Sequence, residues 1–121
     1  MDRITRQPEE LEGVPLVLSQ LYQEIIKAYN AKLDLLVLAG SRMMLEGICE
    51  ALDIPDMVLA ERLKLLESRL DSKSGHLATV AKICNLAVHE RRIEDSDDAD
   101  LCLGWAEVTL KRVAIRRLFR Q

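Results

Sequence analysis

Residues 33–49 leave little of a helix surface for water. Leu33, Leu35, Leu36, Val37, Leu38 and Ala39 come almost in a row, and Met43, Met44, Leu45, Ile48 and Cys49 follow. At helical pitch the segment is apolar nearly all round, and such a helix sits at the centre of its bundle. The remaining composition agrees with an all-α chain. Leu dominates, Gly and Pro are few, and Trp105, Tyr22, Tyr29 and Phe119 are the only aromatic residues. That mix favours helices over strands. At 121 residues the chain has room for one domain with a real core.

Other helices are expected around this one. A polar, partly frayed lead-in covers residues 1–13, and a single helical domain covers residues 14–121. The first helix spans about 14–29, opening at Pro15, with Leu18, Leu21, Ile25 and Ala28 at helical spacing. The central helix spans about 32–52. A third, about 55–70, runs on Leu59, Leu63, Leu66 and Leu70. A turn cluster at 71–75 precedes a fourth helix at about 76–90. The fifth starts at Ser96 as N-cap, with Asp97 and Asp98 in its first turn. It continues to about Phe119, with Gly104 as a weak point. The expected fold is a compact bundle of five helices.

The net charge of −3 does not favour a nucleic-acid partner globally. The distribution is uneven. Residues 1–60 hold ten acidic and five basic side chains, whereas residues 61–121 hold ten acidic and twelve basic. The basic excess gathers at Lys111, Arg112, Arg116, Arg117 and Arg120. Arg112, Arg116 and Arg120 form one stripe of an amphipathic tail. They are either a solvated face complementing a helix C-terminus or an edge that contacts nucleic-acid phosphates or a partner. Without interleaved aromatics, base stacking has little to work with.

Cys49, Cys84 and Cys102 are widely spaced and odd in number. Residues 1–12 lack the apolar stretch of a signal peptide, and no run approaches a membrane span. A cytoplasmic protein with reduced thiols is expected. No spacing suits a metal, and no cofactor is expected. Cys84 reads as a small core filler, and Met43 and Met44 as packing.

The most distinctive polar pair is Asn85 and His89, four apart on the fourth helix and so on one face. They either form a buried hydrogen-bond network or are the remains of an active site. Arg42 and Glu46 have the same spacing on the central helix. They are either an exposed ion pair or inward-turned members of that network, and the inward reading is preferred because Leu45, Ile48 and Cys49 bracket them. Arg69 and His76 flank the 71–75 turn, where no helix sets their geometry, and their spacing is read as chance.

Three segments together resemble a known family. The first is Ser41-Arg42-Met43-Met44-Leu45-Glu46-Gly47-Ile48-Cys49, an Arg-x-x-Leu-Glu-x-Ile pattern. The second is the Leu-rich third helix with its short polar loop. The third is Ile83-Cys84-Asn85-Leu86-Ala87-Val88-His89-Glu90, which looks like an Ile-Gly-Asn-x-Ala-x-His motif. In this order they resemble the DUF4145 family, a branch of the HEPN-like helical domains, over residues 14–113.

The resemblance implies a helical bundle from a bacterial or phage conflict system, in a superfamily where many members are dimeric ribonucleases. In the family's catalytic signature Asn85 takes the polar position and His89 the histidine, while the arginine position falls on Cys84. A thiol supplies no cation for a phosphorane charge, and Lys82, two turns before His89, is the available substitute. The leading expectation is therefore a non-catalytic, dimeric interaction module in a defence or counter-defence system. Behind it stand a metal-independent ribonuclease using His89, Asn85 and Lys82, and a nucleic-acid-binding domain using the arginine stripe.

Overall fold

The apolar helix is where its composition demands. The computed structural model describes residues 4–72 and 74–119. Among them the chain forms five α-helices, Leu16–Asn30 (α1), Asp34–Ala51 (α2), Leu59–Arg69 (α3), His76–Glu90 (α4) and Asp98–Ile115 (α5), and no strand. Each of the other four helices packs against α2. Val37, Leu38, Met44, Leu45, Ile48 and Cys49 of α2 are fully buried. Around them lie Leu63 and Leu66 of α3, Val80 and Cys84 of α4, and Leu103, Leu110 and Val113 of α5.

The α1–α2 seam is set by two glycines seven residues apart. A Cβ on Gly40 would stand 2.6 Å from Ile25 Cγ1, and one on Gly47 would stand 2.6 Å from Leu18 Cδ2. Ile25 and Leu18 are themselves seven apart, so the antiparallel hairpin closes on one heptad of each helix. The missing side chains let the backbones approach.

α1, α2 and α3 stop within one residue of the expected ends and α4 spans its expected range, whereas α5 stops early for a local reason. α1, α2, α3 and α5 each stop in a paired-bond cap around a residue with positive φ: Lys32, Asp53, Asp71 and Arg117. At the end of α5, Arg117 N–H donates to the Ala114 carbonyl at 3.0 Å and Leu118 N–H to the Val113 carbonyl at 3.1 Å, the Schellman arrangement. The helix therefore ends at Ile115 and not near Phe119, while Gly104 lies inside it without a break. At the other end the cap is Asp97 and not Ser96. α3 begins at Leu59, four residues after Pro55.

Charged side chains on α3 hold the neighbouring loops. Arg62 Nη2 donates to the Ile54 carbonyl at 3.0 Å, and Arg69 Nη1 donates to the Leu52 carbonyl, so residues 52–58 are pinned as irregular chain. Glu67 accepts from Ser74 Oγ at 3.1 Å and from Gly75 N–H at 3.2 Å. It thereby closes the α3–α4 turn, where Gly75 takes a φ of +76°. Burying Arg62 and Glu67 is tolerable because backbone groups pair with them.

The described part of the lead-in covers residues 4–13. It has no helix or strand, yet it is bonded to α1 and α5 as a strap.

Candidate functional site

The α4 face singled out by the motif is open. His89 is exposed and Asn85 half-buried, in the last turns of α4, and Lys82 is exposed on the same helix. Among the described residues no hydrogen bond joins Asn85 or His89 to Arg42 or Glu46. Arg42 Nε instead pairs with Glu46 Oε1 at 3.2 Å on α2, both side chains being partly exposed. The expected four-residue buried network therefore does not form. It is replaced by a local i,i+4 pair and an exposed histidine. The reason is rotational: on α4 the core is filled by Leu77, Val80, Ala81, Cys84 and Ala87, which leaves the His89 side turned to water.

Cys84 lies in the core, and the Cys102 thiol of α5 lies close enough to hydrogen-bond to it. That bond first, and burial second, push the Cys102 thiol far above its ordinary value. Burial pushes the Cys49 thiol up to about 11. These two thiols are held in the neutral form and are poor nucleophiles.

The arginine stripe is interrupted. Arg112 is exposed. Arg116 Nη2 pairs with Asp71 at 2.9 Å and its Nη1 donates to the Arg69 carbonyl at 3.3 Å, tying the end of α5 to the end of α3. Arg120 lies outside the described residues. Arg69 and His76 serve different contacts, because His76 stacks on Trp105 of α5 with ring centroids 4.2 Å apart. Met43 and Met44 also part ways: Met44 is fully buried and Met43 is exposed.

Polar groups converge instead at the seam between α1, α5 and the strap. Tyr22 and Tyr29, both buried, project from α1 toward α5. The Tyr22 hydroxyl donates to the Glu107 carboxylate and accepts the Glu9 N–H at 3.1 Å. The Tyr29 hydroxyl donates to the Asp100 carboxylate, which also pairs with Arg6 Nη2 at 3.2 Å. Arg6 lies over the Tyr29 ring, 4.5 Å from its centroid, a cation–π contact. Asn30 accepts the Arg6 N–H at 2.8 Å and donates to the Arg6 carbonyl at 2.9 Å. Lys111 Nζ pairs with Glu9 Oε1 at 2.7 Å.

Each titration follows from this packing. Burial first and the Glu107 carboxylate second push the Tyr22 phenol well above its ordinary value. Burial first and the Asp100 carboxylate second also raise the Tyr29 phenol. The Lys111 ammonium is raised by its bond to Glu9. Both phenols therefore stay protonated and act as donors.

Apart from Lys111, counted in the basic tail, none of these residues was singled out in the sequence, although a signal existed. Tyr22 and Tyr29 are seven apart, and so are Asp100 and Glu107. Two antiparallel helices with those repeats can form two matched rungs. Beyond Glu9 the strap borders a cleft of about 490 Å³ that is also lined by Ala114, Ile115 and Phe119. Among the described residues no three His, Cys, Asp or Glu side chains gather as a metal ion would require, and no helix is long and apolar enough to cross a membrane. No protein-family model, no curated protein and no solved structure matches this chain.

Proposed function

We propose that the chain is a non-catalytic helical interaction module that works by binding protein, pairing with a second copy of itself through the outer face of α2. One observation supports the reading above the others. Leu36 and Met43 are 58% and 57% exposed on the helix that is otherwise the most buried. They are seven residues apart and so stand on one side of it. Single exposed apolar residues are ordinary. A repeated pair beside the partly exposed Leu33 and Leu35 is the kind of surface that contacts protein. Leu101, Val108 and Ile115 add an exposed stripe of the same period on α5. The setting we propose, a bacterial or phage defence or counter-defence system, rests on the resemblance to the DUF4145 and HEPN-like domains alone, which is an associational warrant.

Solution mass by light scattering tests this. The wild-type chain should have the mass of two copies, unchanged by added RNA. The variant Leu36→Glu/Met43→Glu should keep its helicity and fall to one copy. A wild-type chain that stays single throughout the micromolar range overturns the pairing. A helical double variant that remains paired moves the interface off α2.

A further inference from the structure

The strap is held the way a bound peptide is held. Asn30 spends both ends of its amide on the main chain of one residue, Arg6. That pattern reads an extended backbone irrespective of the side chain it carries. Side chains are then read separately. The Arg6 guanidinium is received by the Tyr29 face and the Asp100 carboxylate. Three residues on, the Glu9 N–H is received by Tyr22 and its carboxylate by Lys111.

The spacing has a physical basis. Three extended residues span about 10 Å, and seven helical residues rise about 10.5 Å. The repeat Tyr22–Tyr29 on α1 and Asp100–Glu107 on α5 therefore matches Arg-x-x-Glu on an extended chain. Pro8 between them disfavours helix at Gln7 and removes an N–H that would need a partner.

We infer that the α1–α5 groove is a binding site for an extended Arg-x-x-Glu segment of a partner protein, and that residues 4–13 occupy it until such a segment displaces them. The partner must bring a cation to Tyr29 and Asp100 and an anion to Lys111. A segment with the two charges exchanged places a carboxylate against Asp100 and is rejected. The chain's own segment is tethered and so competes at high effective concentration. The site uses none of the α2 side chains invoked for self-pairing and stands or falls apart from them.

Fluorescence anisotropy with a labelled synthetic peptide of residues 4–14 provides the test. It is read on the full chain and on the full-length variant Arg6→Ala/Glu9→Ala, whose own segment has lost its side-chain anchors. The double variant should bind the peptide about tenfold more tightly than the wild-type chain. Adding Asn30→Ala should remove that gain, and a peptide with Arg and Glu exchanged should not bind. A double variant of wild-type helicity that binds no more tightly overturns the proposal, as does equal binding of the exchanged peptide. If the double variant loses its helices, Glu9→Ala alone carries the same comparison, and no gain in affinity there overturns it equally.

Discussion

Two polar regions of this molecule have opposite characters. On α4, Asn85 and His89 are four residues apart in the sequence, share one helix face and make no hydrogen bond to Arg42 or Glu46 among the described residues. At the α1–strap–α5 seam, Arg6, Tyr29 and Asp100 come from three separate stretches of chain and are bonded together, and so are Glu9, Tyr22 and Glu107. The first region draws attention because helical spacing is visible in one short segment. The second is where buried donors and acceptors are satisfied across the fold, and there removing one partner carries the larger cost. A polar pair that is close in sequence is thus weak evidence for a network; a network is recognised by convergence from distant elements.

The largest effect should come from Tyr22→Phe. It removes one hydroxyl that serves both Glu107 and the Glu9 N–H, and a loss of about 1–3 kcal/mol in denaturant unfolding is expected. A change of less than about 0.5 kcal/mol, the level of an ordinary surface site, would erase the difference between the regions. The seam also has a pH signature. Both phenols have folded-state values raised above the ordinary one. Their contribution is therefore complete below about pH 10, the unfolded value, and is lost as pH rises beyond it. Tyrosinate absorbance should appear together with loss of helical circular dichroism. Ionisation of both tyrosines in a chain that keeps its helices would show the seam to be open.

A smaller effect is expected at the start of α5. Burial first, then the nearby Asp95, raise the Asp98 carboxyl above its ordinary value. A raised carboxyl destabilises the fold where it is ionised and is silent where it is protonated. Asp98→Asn should stabilise at neutral pH by about 0.5 kcal/mol or less, since solvent screens most of the repulsion, and should make no difference below about pH 3.9, the unfolded value. Equal gains at both pH values would mean that the charge of Asp98 is not the cause.

The smallest effect is expected on the motif face. His89→Ala should change stability by no more than about 0.5 kcal/mol, because the side chain is exposed. RNA incubated with either protein should stay intact. Cleavage by the wild-type chain that vanishes with His89→Ala would reverse the comparison and return α4 to the centre of the function.

Much of the fold was legible. The all-round apolar stretch identified α2 as the central helix because hydrophobic period and burial are tied together on any helix. The buried Leu59, Leu63 and Leu66 of α3 were readable for the same reason. Helix ends were less so. Lys32, Asp53, Asp71 and Arg117 hold the left-handed turn that glycine usually takes; breaks are expected beside the first three, whereas nothing in the sequence announces a stop at Arg117. At three of the caps the residue after the turn is the apolar Leu33, Ile54 or Leu118. The α5 end was therefore placed four residues too far along.

The division between what the chain wrote locally and what folding added follows from range. Local order in the sequence was enough to determine five helices, the buried faces of most of them and the central position of α2, because those properties depend on residues within two turns of one another. The face of α4 that meets water, the split between Met43 and Met44, the capture of Arg116 by α3 and the strap across Tyr22 and Tyr29 were decided by tertiary structure. They depend on which helix lies alongside which, and at what rotation. A rotation of one helix by a single residue, about 100°, would exchange the buried and exposed polar groups without altering any helical spacing in the sequence.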